Sequence, residues 1–70
     1  MKKKIIEEKY YVELYFQGDQ FYLDLNLNTT KGIVEMKKEQ AEDVALREYN
    51  KLRRLNVSGD IRVAVKKVGS

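Results

Sequence analysis

The sequence predicts an α+β domain of order ββαβ, in which a β-hairpin and a C-terminal strand form a three-stranded or four-stranded sheet with one helix packed on one face. Three observations predict it: apolar and polar residues alternate between residues 10 and 28, the apolar period becomes helical between residues 37 and 55, and alternation returns after residue 60. Seventy residues are enough for one small domain, so we expect a single domain over residues 1–70. Its expected parts are an N-terminal strand extension or arm (1–8), a hairpin (9–28), a connection (29–36), a helix (37–56) and a strand (60–68).

The hairpin is predicted from two alternating runs that flank a glycine. Gly18-Asp19 fits a two-residue turn, because glycine tolerates the positive φ that such turns require. This turn predicts a register in which each apolar residue of one strand faces an apolar residue of the other. The expected pairs are Phe16 with Phe21, Leu14 with Leu23, Val12 with Leu25, Tyr15 with Tyr22 and Glu13 with Asp24.

The helix is predicted from an apolar stripe with helical spacing. Glu48 is the one charged residue inside this stripe, and we expect its carboxylate to reach water. The start has no Ser, Thr, Asp or Asn cap before Lys37, so a start at Thr29 or Thr30 is an open alternative. Asn56 suits the left-handed position after the last turn. The residues of the stripe are Ala41, Val44, Ala45, Tyr49, Leu52 and Leu55.

The last strand is predicted from Ile61, Val63 and Val65, which alternate with Arg62, Ala64 and Lys66. A right-handed crossover through the helix favours a parallel position beside the first strand, as in β-grasp-like folds. An antiparallel position at an edge of the sheet is the alternative.

The composition excludes most small-domain chemistry. The chain has no cysteine and no histidine, so disulfides, thiolate catalysis, zinc fingers and Ser-His or Cys-His nucleophile pairs are absent. We expect no enzymatic function, no catalytic residues, no cofactor and no metal. The net charge of +3 is small for a dedicated nucleic-acid binder. No apolar run approaches the roughly 20 residues that span a bilayer, so we expect no membrane partner.

Two groups of residues are candidates for binding. The sheet face opposite the helix presents tyrosines among cations, an arrangement that can stack unpaired bases and neutralise phosphates. The alternative is that these are ordinary cross-strand aromatic pairs with charge relief. A basic rim at Lys51, Arg53 and Arg54 either tracks phosphates or complements the dipole of the helix C-terminus. The candidates on the open face are Tyr11, Tyr15, Tyr22, Arg62 and Lys66.

The segment from Gly32 to Leu46 resembles part of the arm-type DNA-binding domains of phage integrases. The run Lys37-Lys38-Glu39-Gln40-Ala41 leads into the helix, as a Lys-Glu-Ala-like run does in that family, where antiparallel strands precede the helix. The similarity covers under a quarter of the chain. It implies DNA binding through basic strands, whereas the corresponding strand positions here are Glu13, Asp24 and Asn26.

The whole chain resembles a de novo designed domain. The self-consistent hairpin pattern, the absence of Cys, His, Pro and Trp, the surface rich in Glu, Lys and Arg, and the final Gly69-Ser70 are typical of such proteins. This resemblance implies a stable scaffold with no required partner, and a recombinant origin. A natural binding module, cytoplasmic and of phage or archaeal type, is the alternative. Its partner would be nucleic acid or protein, and either protein can form a homodimer through the sheet face or edge.

Overall fold

The computed structural model describes residues 8–55 and 59–69. The strands are β1 (Tyr10–Phe16), β2 (Asp19–Leu23), β3 (Thr29–Thr30) and β4 (Ile61–Lys67), and the helix α1 spans Lys38–Arg54. The four strands form one antiparallel sheet of order β3-β2-β1-β4, and α1 packs on one face of it against β1 and β4. The predicted α+β class, the hairpin and the C-terminal strand are confirmed. The predicted extension or arm falls almost wholly on residues outside the described part.

The central strand is β1, which pairs with β2 on one side and along its whole length with β4 on the other. The last strand is therefore antiparallel to the first, the second of the two arrangements left open by the sequence. It lies at an edge of the sheet. The helix follows Met36, which pairs with Tyr10 at the start of β1, and β4 begins opposite Phe16 at the end of β1. A strand that starts at that end and pairs along β1 runs antiparallel to it.

The predicted hairpin register is wrong by two residues. Gln17 and Gly18 occupy the turn with φ of 51° and 89°, so both central residues are left-handed, as a type I′ turn requires. The observed pairs are therefore Leu14 with Phe21 and Val12 with Leu23. A shift of two residues keeps every side chain on its predicted face.

The second strand ends earlier than predicted, because Asp24 closes a loop. Its Oδ1 accepts hydrogen bonds from the backbone N–H groups of Asn26 and Asn28, at 2.8 and 2.9 Å. Leu27 adopts a φ of 66° within this loop. Leu25 is consequently 42% exposed and has no place opposite Val12, and Glu13 does not face Asp24.

The predicted connection contains a fourth strand and a buried anchor. After the Asp24 loop, Thr29 and Thr30 pair with Leu23 and Tyr22 as β3. Met36 then exchanges two backbone hydrogen bonds of 2.8 Å with Tyr10, and its side chain is buried. An early helix start at residues 29–30 is therefore excluded.

The start of α1 is capped by Gln40, which the sequence analysis does not identify as a cap. The Gln40 side chain accepts a hydrogen bond of 2.9 Å from the backbone N–H of Lys37, which is half of a capping box. Two residues of the predicted stripe are not in the core, since Tyr49 is 42% and Leu55 65% exposed. The prediction for Asn56 lies outside the described residues.

The core is small and contains a carboxylate. Glu48 lies within the buried face of α1 and is only 3% exposed, so the expectation that it reaches water is wrong. The Lys51 ammonium lies 3.3 Å from Glu48 Oε1, yet this oxygen accepts no hydrogen bond from any described residue. An ion pair without hydrogen bonding compensates the desolvation of a carboxylate poorly. The buried apolar residues are Val12, Leu14, Leu23, Met36, Ala41, Val44 and Leu52.

Replacement of this carboxylate should stabilise the fold. We expect Glu48→Leu to raise the free energy of unfolding by about 1–3 kcal/mol, because it removes a poorly satisfied buried charge and adds apolar burial. Denaturation by guanidinium chloride measures the change. Glu42→Leu, at an exposed position of the same helix, should change stability by less than about 0.5 kcal/mol. Loss of stability in Glu48→Leu would contradict this account of the core.

Candidate functional site

The five candidates on the open sheet face share one surface. Tyr11 and Tyr15 lie on β1, Tyr22 on β2, and Arg62 and Lys66 on β4, all on the face away from α1. Alternation along three antiparallel strands places them there, because directly paired residues point to the same side of a sheet. The predicted grouping is thus observed, whereas its role in binding stays a prediction.

Glu13 lies at the centre of this face and is only 5% exposed. It sits on β1 between Tyr22 of β2 and Ala64 of β4. Its Oε1 accepts a hydrogen bond from the Tyr15 hydroxyl at 3.0 Å, and its Oε2 accepts one from Gln20 Nε2 at 3.1 Å. The Lys66 ammonium lies 3.3 Å from Oε1. This carboxylate organises the open face.

The contacts of Glu13 perturb two of its neighbours. The hydrogen bond to Glu13 raises the pKa of the Tyr15 hydroxyl, and partial burial adds to that effect. The contact with the same carboxylate raises the pKa of the Lys66 ammonium. Both shifts favour the protonated, hydrogen-bond-donating forms. At neutral pH the Tyr15 hydroxyl and the Lys66 ammonium therefore both act as donors to the Glu13 carboxylate.

The tyrosine rings are engaged with their neighbours. Tyr11 meets Tyr22 edge-on, with ring centroids 5.8 Å apart and an interplanar angle of 67°. The Arg62 guanidinium lies 5.2 Å from the centroid of the Tyr15 ring. The predicted pairing of Tyr15 with Tyr22 is wrong, because the two-residue shift places Gln20 opposite Tyr15. These contacts bury part of each ring that a stacked base would need.

The basic rim is not a single cluster. Lys51 is paired with Glu48, and the Arg53 guanidinium lies 5.7 Å from the centroid of the Tyr49 ring. Arg54 is exposed on the last turn of α1. Two of the three cations are thus used in contacts within the helix, which fits the alternative in which they complement its C-terminus.

A cleft of about 870 Å³ runs along β4, between this strand and α1. Ala45, Leu46 and Tyr49 line its helix side. Leu46 is 60% exposed and Tyr49 is 42% exposed, so the helix side of the cleft presents two neighbouring apolar side chains to solvent. The strand side continues round the edge of the sheet to four residues of the open face, namely Tyr15, Arg62, Ala64 and Lys66.

The outer edge of β4 has no strand partner among residues 8–55 and 59–69. Gln17 N–H donates to the Asp60 carbonyl, and Val68 N–H donates to the Lys9 carbonyl. Since hydrogen-bonded residues alternate along an antiparallel pair, the even-numbered residues of β4 point their backbone groups toward β1. Ile61, Val63 and Val65 therefore point their N–H and C=O groups outward, while their side chains pack on the α1 side.

The described residues contain no cluster of three or more His, Cys, Asp or Glu side chains that could hold a metal ion. They also contain no helix that is long and apolar enough to cross a membrane. What the site does offer is a row of backbone donors and acceptors next to an apolar cleft, which is the chemistry of strand addition.

Comparisons of the chain with family models, curated proteins and solved structures find no match. The geometry of the described residues is therefore the basis for a functional assignment.

The sequence predictions include neither the cleft nor the burial of Glu13. Leu46, Tyr49 and Arg53 are spaced i, i+3 and i+7, so they form a second stripe beside the buried face of α1, and this spacing was the available signal. The burial of Glu13 had no such signal. It depends on the position of β1 between two strands, which single-strand alternation does not specify.

Stability at high pH should depend on Glu13. The raised pKa values of Tyr15 and Lys66 mean that their contribution to stability is complete below the unfolded-state values of about 10 and is lost as the pH rises through the folded-state values. We expect the thermal midpoint to fall above about pH 10, and to fall less in Glu13→Gln.

Site-resolved NMR titration of the tyrosines provides the direct readout. In Glu13→Gln the pKa of Tyr15 should move down toward its ordinary value of about 10. Asp43→Asn removes a carboxylate from the exposed side of α1, where it pairs with Arg47, and should leave the pKa of Tyr15 unchanged. If the pKa of Tyr15 did not move in Glu13→Gln, the assigned hydrogen bond between these two side chains would be contradicted.

Proposed function

We propose that this chain is a non-enzymatic protein-binding module that captures an extended segment of a partner as a fifth strand along β4. The observation that carries this proposal is the outward row of backbone groups at Ile61, Val63 and Val65, directly beside the cleft lined by Leu46 and Tyr49. In strand addition, backbone hydrogen bonds supply affinity and side-chain pockets supply specificity. This edge provides both.

The cleft lies on the correct side of the edge for such a segment. Residues of an added strand that pair with Ile61, Val63 and Val65 point toward α1, because paired residues share a face. Their side chains would cover Leu46 and Tyr49, which are otherwise 60% and 42% exposed. One ligand would thus both cover the exposed apolar surface and hydrogen-bond the open edge.

A protein partner fits this surface better than nucleic acid does. A buried carboxylate occupies the centre of the tyrosine face, and one of the two cations there, Lys66, already contacts it. The remaining cation, Arg62, lies against Tyr15. Counterion release from the two cations of this face would supply little affinity for phosphates.

The buried carboxylate of the core is atypical of an idealised designed scaffold. An idealised designed core avoids buried carboxylates with unsatisfied oxygens. Glu13 and Glu48 are both buried, and Glu48 Oε1 is not hydrogen-bonded by the described residues. The unsatisfied Glu48 oxygen disfavours an idealised designed scaffold.

Nucleic-acid titration tests the competing partner. We expect labelled single-stranded and duplex oligonucleotides to show no saturable binding below about 100 µM at 50 mM salt, because two cations on the tyrosine face, Arg62 and Lys66, would release few counterions from phosphates. Micromolar binding to single strands that weakens about tenfold or more in Tyr15→Ala or Tyr22→Ala would instead support base stacking on the tyrosine face.

Peptide display tests the proposed function directly. A random nine-residue library panned against the immobilised full chain should yield peptides whose binding is at least about tenfold weaker to Val63→Pro. The Val63 N–H points outward, so proline there removes an edge donor without breaking a β1–β4 hydrogen bond. Val63→Thr keeps this donor and the branched shape, and is the matched control.

The ligand backbone gives a second readout that does not depend on the fold of a variant. N-methylation of an enriched peptide at alternate residues should abolish binding in one phase of the alternation and leave it unchanged in the other. Equal effects in both phases, or a library that enriches no peptide over a blank surface, would overturn strand addition.

A further inference from the structure

We infer that the segment which β4 captures is acidic, with carboxylates at two positions four residues apart and apolar side chains between them. This inference rests on the proposed function and specifies the chemistry of its partner. It comes from the alternation of side chains along β4 combined with the charges that border the cleft.

Cations border the cleft on both sides. Among the described residues that line it, Arg62 and Lys66 are charged and none is acidic. Arg53 adds a third positive charge above Tyr49 on the helix side. The charged side chains that line and border the cleft on these two sides are therefore cations, and an added strand with negative side chains is complementary to them.

The two strand cations remain accessible to a ligand. The Arg62 side chain is 70% exposed, and its contact with Asp60, which is 73% exposed, is long at 3.7 Å. The Lys66 side chain is 51% exposed although its ammonium contacts Glu13. An ammonium has three donors, so one carboxylate does not saturate it.

The positions of the charged and apolar residues along β4 predict the sequence pattern of the added strand. An added strand pairs residue by residue with β4, so two of its side chains lie opposite Arg62 and Lys66 on the open face. The residues opposite Val63 and Val65 point into the cleft. The expected core is Glu-Φ-x-Φ-Glu, where Φ is apolar. The pattern reads the same in both directions, so it holds for parallel and antiparallel addition.

The same charges disfavour a second copy of the chain on this edge. In the antiparallel self-pairing with fullest overlap, which centres on Ala64, Arg62 faces Lys66 of the second copy twice. Like charges directly opposite each other are destabilising. Each copy also carries a net charge of +3. An acidic segment of another protein meets neither obstacle.

Three synthetic peptides test the charge requirement. Their cores are Glu-Val-Thr-Val-Glu, Gln-Val-Thr-Val-Gln and Lys-Val-Thr-Val-Lys, each flanked by Gly-Ser and labelled for fluorescence anisotropy against the full chain. Two exposed ion pairs predict binding about 2- to 25-fold weaker for the Gln peptide, and weaker still for the Lys peptide. The difference should shrink as salt rises from 50 to 500 mM.

Charge variants of the protein locate the effect. Arg62→Glu should weaken binding of the Glu peptide and strengthen binding of the Lys peptide, so that part of the charge preference is reversed. Arg54→Glu changes the net charge equally, but Arg54 does not line the cleft, so the preference should persist. Identical behaviour of the two variants would overturn the assignment of Arg62.

The outcomes separate this inference from the proposed function. Equal binding of all three peptides, with sensitivity to Val63→Pro, would overturn the acidic preference and leave strand addition standing. Failure of all three peptides and of the random library would overturn both. A dimer detected by sedimentation at tens of micromolar, and lost in Val63→Pro, would make a second copy the occupant and overturn the acidic segment.

Discussion

The double pairing of β1 is the constraint on which the rest of this structure depends. Because β1 pairs with β2 on one side and with β4 on the other, its alternate residues lie at the centre of both faces of the sheet. On one face this buries Val12 and Leu14 under α1. On the other it buries Glu13, whose carboxylate then requires donors from Tyr15, Gln20 and Lys66. It also places β4 at an edge of the sheet, because β4 occupies the second side of β1 and pairs with no other described strand.

The faces of the sheet could be predicted from the sequence, but the register could not. Alternation identifies which residues share a face, and a register error of two residues leaves that information intact. The choice between Gly18-Asp19 and Gln17-Gly18 as turn residues depends on whether Gln17 adopts a positive φ. Propensity argues against this for glutamine, and pairing with β4 and packing on α1 outweigh it. The loop at Asp24 is not predicted, because the alternation of Leu23, Leu25 and Leu27 continues past Asp24 in the sequence. In the structure the Asp24 side chain ends the strand by accepting hydrogen bonds from the loop backbone.

The candidate site divides in the same way. The grouping of Tyr11, Tyr15 and Tyr22 with Arg62 and Lys66 follows from alternation alone. The cleft does not, because it requires both the edge position of β4 and the angle at which α1 crosses it. Tyr49 illustrates the difference: helical spacing assigns it to the core, yet it borders the buried stripe and faces the cleft instead. Small domains make this ambiguity common, since one helix cannot cover both edges of a four-stranded sheet.

The cations of β4 have two physical consequences that act together. Lysine and arginine on an exposed edge oppose pairing between like-charged edges, which protects a sheet from aggregation. For β4 this protection is selective. It acts against strands that place a cation opposite Arg62 or Lys66, including a second copy of β4 in full overlap, and it is reversed for strands that place a carboxylate there. In the proposed function, protection and recognition are therefore one electrostatic property of the edge, and the apolar cleft beside it determines how much apolar surface an added strand buries. An edge whose only role is protection has no need of Leu46 and Tyr49 exposed next to it, and these two residues are what favours recognition over protection alone.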